Sequence, residues 1–351
     1  MIEIDGSRYS GSGTIVRQAV AFSALTGQPV HIINARSRRP KPGLRHQHVT
    51  VIQAIRELVN GSADGLTPGS QEVLFRPGAL KTGRQYMWDI GTAGSTTMLA
   101  LAILPVLAFS SSPVKVELRG GLFQDYASSV FHLEHVILRV LHRMGLQVEL
   151  VMVRPGYIPK GDGILQLTVK PSQRPLQSLS LEQAGSVTRL WGIALSSHLE
   201  ERKVSERMAQ AARVVLEEAG YRPEIELRHD RESHQPGAAL GLFADLSNDV
   251  RLGADQAGAL RRSAESIGKH VAKQLLEDLK TGATLDRFAA DQIVPFAALA
   301  GGESRFRVPA ITEHVLTNAW LAERFLGAQI KVENHSLSIT GVQFRGQSGH
   351  A

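Results

Sequence analysis

The chain is expected to fold as α/β (α+β), with three repeated βαβαββ units and a small inserted α/β domain. Three observations predict this. Strand and helix signals in the first 75 residues run βαβαββ, the same order returns from residue 86, and a partial third copy closes the chain. The spacing of roughly 85 residues marks an internal repeat. A stretch from 184 to 280 carries strand and helix signals of its own, outside that order. Finally, 351 residues, 43% hydrophobic and 21% charged, suffice for two packed domains and exclude a disordered chain or a small stapled scaffold.

In the first unit a strand at 2–4 leads through the turn Gly11-Ser12-Gly13 into a helix with Ile15, Val16, Ala19, Val20 and Phe22 on one side, closed by Gly27. A strand at 30–33, a helix at about 47–59 and two short strands through 71–75 complete it. The second unit has a strand at 86–90, a glycine turn at 91–94, a helix at 95–109, a strand at 114–118, a helix at 127–144 and strands at 148–153 and 164–169. The third takes a leading strand at 176–181, a helix at 290–300, a strand at 304–308, a helix at 313–326 and strands at 329–332 and 336–339. Between them the inserted stretch has a strand at 186–196, a helix at 205–219, strands at 224–227 and 241–245, and a helix near 256–279. The expected organisation is a large repeat domain over 1–183 and 281–345, carrying the active site, with an inserted small domain over 184–280. Exposed turns tolerate such insertions.

Composition narrows the chemistry. The absence of cysteine removes disulfides, thiolate nucleophiles, zinc ribbons and iron–sulfur sites together, so covalent chemistry must use another side chain. The longest apolar run, 98–109, is broken by Pro105 and too short to cross a bilayer, and the N-terminus lacks a basic stretch followed by an apolar one. A cytoplasmic protein without a membrane partner is expected.

The net charge of +6 is modest but locally concentrated. Arg36, Arg38, Arg39, Lys41 and Arg45 put five permanent cations on ten residues, in a loop stiffened by Pro40 and Pro42. Arginine forks match paired phosphate oxygens, and a stiff loop loses less entropy on binding. A plain solvated basic loop is the competing reading.

Both glycine turns precede helices whose first amides lack partners, so 11–14 and 94–97 are candidate anion sites, with Arg17 one turn into the first helix. Each turn alone reads equally as a tight strand-to-helix connection. No phosphate loop and no dinucleotide fingerprint is present. Of 13 histidines, His314 stands apart because Thr312 is an N-cap candidate and an apolar helical pattern starts at Val315. A positive helix end disfavours imidazolium, which leaves a nitrogen lone pair for nucleophilic attack. A structural first-turn histidine is the alternative.

Several motifs in order then point to one family. They are Asp5-Gly6 with Gly11-x-Gly13-x-Ile15-x-Arg17, Leu25-Thr26-Gly27-Gln28-Pro29, and Arg36-x-x-Arg39-x-Lys41-Pro42-Gly43-Leu44-x-x-Gln47-His48. Gly78 after Leu74-Phe75-Arg76-Pro77 and Gly91-x-Ala93-Gly94-Ser95 follow. Ala290-Asp291-Gln292 with Pro295 and Ala300-Gly301, and His314-x-x-Thr317-Asn318 with Glu323-Arg324-Phe325-Leu326, complete the set. On these residues the chain resembles the RNA 3'-terminal phosphate cyclases from end to end.

The resemblance implies a fold similar to the enolpyruvyl transferases and an ATP-dependent conversion of an RNA 3'-terminal phosphate to a 2',3'-cyclic phosphodiester. His314 would attack the α-phosphorus of ATP to form a histidine–AMP adduct, the adenylate would pass to the RNA phosphate, and the neighbouring 2'-hydroxyl would displace AMP. Arg17, Arg36, Arg39 and Gln47 would hold phosphates, Phe288, Asp291 and Gln292 would line the nucleotide pocket, and a divalent metal, Mg²⁺ or Mn²⁺, would assist. The implied partners are ATP and RNA with a 3'-terminal phosphate, and a homodimer is left open. Three positions depart from the family's pattern: Ser10 where a metal-binding glutamate is usual, Ala100 where a glutamine is usual, and Gly120-Gly121-Leu122-Phe123-Gln124-Asp125-Tyr126 in place of a Thr- and Pro-rich segment. The competing function is a cyclase-like RNA-binding or assembly protein without the full reaction, and an enolpyruvyl transferase is a third reading.

Overall fold

The computed structural model describes residues 1–80, 85–172 and 175–346. Its repeat lies in the sheets. The first unit runs β1 (Ile2–Asp5), α1 (Gly13–Thr26), β2 (Val30–Ile33), α2 (His46–Leu58), β3 (Ser62–Asp64) and β4 (Val73–Arg76). The second runs β5 (Gln85–Asp89), α3 (Thr96–Leu107), β6 (Val114–Gly120), the helical stretch α4 (Val130–His132) and α5 (Leu138–Arg143), then β7 (Gln147–Arg154) and β8 (Gly163–Lys170). The third begins at β9 (Ser180–Leu181) and resumes with α8 (Ala289–Leu299), β14 (Gly301–Arg307), α9 (Glu313–Leu326), β15 (Gln329–Glu333) and β16 (Ser336–Val342). Their sheets are ordered β1-β2-β4-β3, β5-β6-β8-β7 and β9-β14-β16-β15. Each therefore places its strands first, second, fourth, third. In each, the first pair is parallel and the rest antiparallel, as one βα crossover followed by a hairpin requires.

Between β9 and α8 lies a fourth sheet, ordered β11-β10-β12-β13, from β10 (Val187–Ser197), β11 (Glu224–Asp230), β12 (Gly237–Leu246) and β13 (Arg251–Ala257). It carries α6 (Val204–Glu218) and α7 (Ala264–Lys280). The expected helix near 256–279 is a correction, because Gln256 and Ala257 end β13 and α7 starts after its N-cap Ser263. In the first unit the two expected strands through 71–75 are one strand, β4, and its hairpin partner β3 lies earlier, at 62–64. The second-unit helix, expected to be continuous from 127, starts at Val130 and contains a π turn over Leu133–Ile137.

Helices α1, α3 and α8 are buried along almost their whole length, which is why α3 is apolar all round and the polar side chains of α1 and α8 that the site uses, Arg17, Asp291 and Gln292, sit near their N-terminal ends. Helices α1 and α9 meet through Phe22 and Phe325, ring centroids 6.0 Å apart, and Tyr9 in the turn before α1 packs on Trp320 of α9 at 5.7 Å. This contact brings the first turn of the first unit against the third unit. Among the described residues no helix is long and apolar enough to cross a membrane.

Candidate active site

The first turns of α1, α2, α8 and α9 converge. Ser12 caps α1, its hydroxyl accepting from the Thr14 N–H at 3.2 Å. Thr312 caps α9 in the same way, accepting from the Val315 N–H at 3.2 Å. The expected first-turn position of His314 follows from that cap. Its Nδ1 lies 3.1 Å from the Thr14 hydroxyl, and that hydroxyl accepts from Arg17 Nη2 at 3.2 Å. Burial, then Arg17 and Arg39, lower the His314 pKa against the opposing charge of Glu313, so the half-buried ring is neutral near pH 7.

Arg17 is set against Asp291 from the first turn of α8. Burial lowers the Arg17 pKa to about 10, Asp291 works against that, and Arg36 and Arg39 add to it. Burial pushes the Asp291 carboxyl up to about 7, with Arg17 and the 2.7 Å hydrogen bond from Gln292 Nε2 opposing. The Asp291 carbonyl accepts from Asn318 Nδ2 at 2.6 Å, which ties α8 to α9 beside His314.

The basic loop divides into two kinds of arginine. Arg36 Nη1 donates to the carbonyls of Lys41 (3.1 Å) and Gly43, so this guanidinium closes the loop on itself. Arg38 donates to the Tyr9 carbonyl and lies 3.9 Å from the Glu313 carboxylate. Among the described residues no acceptor takes up the Arg39 guanidinium, although its charge reaches Arg17, Arg36 and His314. Arg39 therefore keeps its guanidinium unpaired among the described residues, at the edge of the site.

Gln47 and His48, adjacent at the start of α2, serve different turns. Gln47 Oε1 accepts from the Ser95 N–H at 3.0 Å, at the second glycine turn, so its carbonyl is committed to joining two units. His48 accepts at Nδ1 from the Arg45 N–H at 3.0 Å and lies against the first glycine turn. A Cβ on Gly13 would fall 2.1 Å from His48 Nε2, so only glycine admits the ring there. Burial and then Arg17, Arg36 and Arg45 hold His48 well below the ordinary imidazole range. Phe288, half-buried, precedes α8 and meets the His132 ring edge-on at 5.6 Å.

The structure thus brings together His314, Arg17, Arg36, Arg39, Asp291 and Gln292, sets Phe288 at the adjoining helix start, and turns Gln47 toward the second unit. Sequence reading missed Thr14 as a partner of His314. Its one signal was a hydroxyl two residues after an N-cap serine.

Ser10 is buried, its hydroxyl 3.0 Å from both Ser12 Oγ and Thr317 Oγ1. Among the described residues no group of three or more His, Cys, Asp or Glu side chains is arranged to hold a metal ion. A neutral hydroxyl already engaged by two others does not fit a hard divalent cation.

A neutral imidazole with Arg17 and Arg39 close by, at the first turns of two helices, is the kind of arrangement that suits phosphate groups. Comparison with known proteins gives the family. The family model for RNA 3'-terminal phosphate cyclase matches residues 8–332. A protein of that name from Methanopyrus kandleri is 40% identical over 337 residues, 95% of either chain. Another from Pyrococcus furiosus is 39% identical over 333 residues, 95% of either chain, and one from Hyperthermus butylicus is 36% identical, covering 99% of this chain and 100% of its own. Among solved structures, the enolpyruvyl transferase NikO from Streptomyces tendae matches at a TM-score of 0.42 and 13% identity, over 98% of this chain and 49% of that one. The chain belongs to the RNA 3'-terminal phosphate cyclase family.

Proposed function

We propose that the chain uses ATP to convert an RNA 3'-terminal phosphate to a 2',3'-cyclic phosphodiester, with His314 as the nucleophile. The observation that carries this reading is the 3.1 Å contact between His314 Nδ1 and Thr14 Oγ1. With Nδ1–H donating to Thr14, the Nε2 lone pair is free, and burial, reinforced by Arg17 and Arg39, keeps the ring neutral. Nε2 attacks the α-phosphorus of ATP, forming a P–N bond as the bond to pyrophosphate breaks. A phosphate oxygen of the RNA then displaces the imidazole and takes the adenylate. The vicinal 2'-hydroxyl attacks that activated phosphorus, loses its proton to water and expels AMP, its placement making the closure effectively unimolecular.

Arg39 and Arg17 hold phosphate oxygens in this scheme, and Arg36 shapes the loop that presents Arg39. Phe288, Asp291 and Gln292 line the nucleotide pocket. Any Mg²⁺ or Mn²⁺ enters with the ATP phosphates, since the protein's donors at Ser10 do not fit one. That same misfit favours a second reading, a cyclase-like RNA-binding protein that has lost the adenylation step. Incubation with α-labelled ATP and a metal separates the two, because acid-labile label on the protein requires the first.

A further inference from the structure

A buried ion pair beside Phe288 has no part in the steps above. His132 Nε2 lies 3.0 Å from both carboxylate oxygens of Asp286, and neither side chain is exposed. Asp286 joins separate parts of the chain. Its Oδ1 accepts from the backbone N–H groups of Phe288 and Ala289, each at 2.9 Å, at the start of α8. Its Oδ2 accepts from the Gly253 N–H in β13 at 2.8 Å. His132 comes from α4 of the second unit, and its ring meets the Phe288 ring at 78°. Two residues beyond Gly253, Asp255 accepts from the Ser129 N–H at 2.8 Å and so holds the start of α4.

Each partner shifts the other toward its charged form. Burial opposes charge on His132, but Asp286 and then Asp255 and Asp278 outweigh it and raise the imidazole. Burial likewise opposes ionised Asp286, and His132 together with the backbone donors outweighs that. Among the described residues His132 Nδ1 has no hydrogen-bond partner, so the Asp286 carboxylate is the ring's polar anchor.

We propose that the His132–Asp286 pair positions the base of the nucleotide, by fixing the Phe288 ring and the first turn of α8, and that β13 sets the pair through Gly253 and Asp255. The proposal rests on the reading that Phe288 lines the nucleotide pocket. It makes His132 a positioning residue acting through Phe288, and it links the 184–280 segment to nucleotide binding. A purely structural pair would affect stability without regard to the ligand's base.

The test compares ATP with inorganic tripolyphosphate, which offers the arginines their phosphates but gives Phe288 no base. Binding of each is measured by calorimetry at a temperature where all variants are folded. His132→Leu is expected to weaken ATP about tenfold, the scale of one base–aromatic stack, with tripolyphosphate unchanged. His132→Gln, which restores an N–H toward Asp286, should recover most of the loss. At saturating ATP the rate of AMP attachment should stay within about twofold, a change in apparent affinity rather than turnover. Should His132→Leu fail to fold, Gly253→Ala serves instead, because its Cβ would lie 2.8 Å from Val136 Cγ2 and 3.1 Å from both His132 Cδ2 and Phe243 Cδ1, crowding the ring where Gly253 meets Asp286. Equal loss for both ligands, or unchanged ATP affinity in a folded variant, overturns the proposal. Phe288→Ala tests the underlying reading separately: undiminished ATP binding there removes the base contact, whatever His132 does.

Discussion

The Thr14 hydroxyl stands between His314 Nδ1, at 3.1 Å, and Arg17 Nη2, at 3.2 Å, and so joins the first turns of α1 and α9 across 300 residues of sequence. One oxygen thereby orients the imidazole and anchors a cation beside it. Thr14→Val keeps the shape and removes both contacts. AMP attachment should slow about tenfold, equivalent to about 1.4 kcal/mol, the scale of one net hydrogen bond. Single-turnover label incorporation checks this, and an unchanged rate would free His314 from Thr14.

In the proposed reaction only the neutral form of His314 can attack ATP. Because burial, Arg17 and Arg39 depress its pKa, the acid limb of kcat/KM for adenylation should fall below pH 6.5, with activity lost only as pH drops further. Arg39→Ala removes one of the charges that disfavours imidazolium, so the limb should move to higher pH. A limb that stays fixed, or moves lower, would show that Arg39 does not act on this ring.

Arg36 and Arg39 should separate on RNA carrying a 3'-phosphate. Arg39→Ala removes a cation that no described residue pairs with, so affinity should fall and the slope of log K against log salt should lessen by about 0.7 for a single strand. Arg36→Ala also frees the carbonyls of Lys41 and Gly43, and its loss should extend to loop order, read by proteolysis within 36–45. Equal behaviour of the two variants would refute this division of labour.

Ser10 provides a metal test. Calorimetry with Mn²⁺ in the absence of ATP should show no saturable binding to the native chain, because the Ser10 hydroxyl is engaged by Ser12 and Thr317. Ser10→Glu should introduce such binding and lower the Mn²⁺ concentration that gives half-maximal AMP attachment. An equal or higher requirement in the glutamate variant would remove Ser10 from metal binding altogether.

Asp291 ties stability to pH. Its folded pKa of about 7 lies above the ordinary 3.8, so the folded state holds this proton more tightly than the unfolded one. The contribution is full below about pH 4 and lost as pH rises to about 7, on the order of a few kcal/mol. Asp291→Asn should therefore flatten the difference in denaturant midpoint between pH 5 and pH 8. An Asn variant with the native slope would contradict it.

Much of the fold was legible in the sequence because its signals were local. Helix α9 runs from Glu313 to Leu326 as expected, since Thr312 and Gly327 supply both caps on the spot. Strand β13 was missed for the opposite reason. Its sequence, RLGADQA, breaks apolar alternation at Gly253 and Asp255, and those residues are committed to Asp286 and Ser129 on distant elements. The site divides likewise. His314 was legible from a cap and a helical period, whereas Thr14 and the turning of Gln47 toward Ser95 depend on long-range packing that no spacing encodes.

The central claim is that His314 takes AMP from ATP. The native protein, incubated with α-labelled ATP and Mn²⁺, digested and analysed by mass spectrometry, should carry acid-labile AMP on the peptide containing His314. His314→Asn, folded to the same extent by circular dichroism, should carry none. An unlabelled native protein, or label persisting in His314→Asn, would contradict the account.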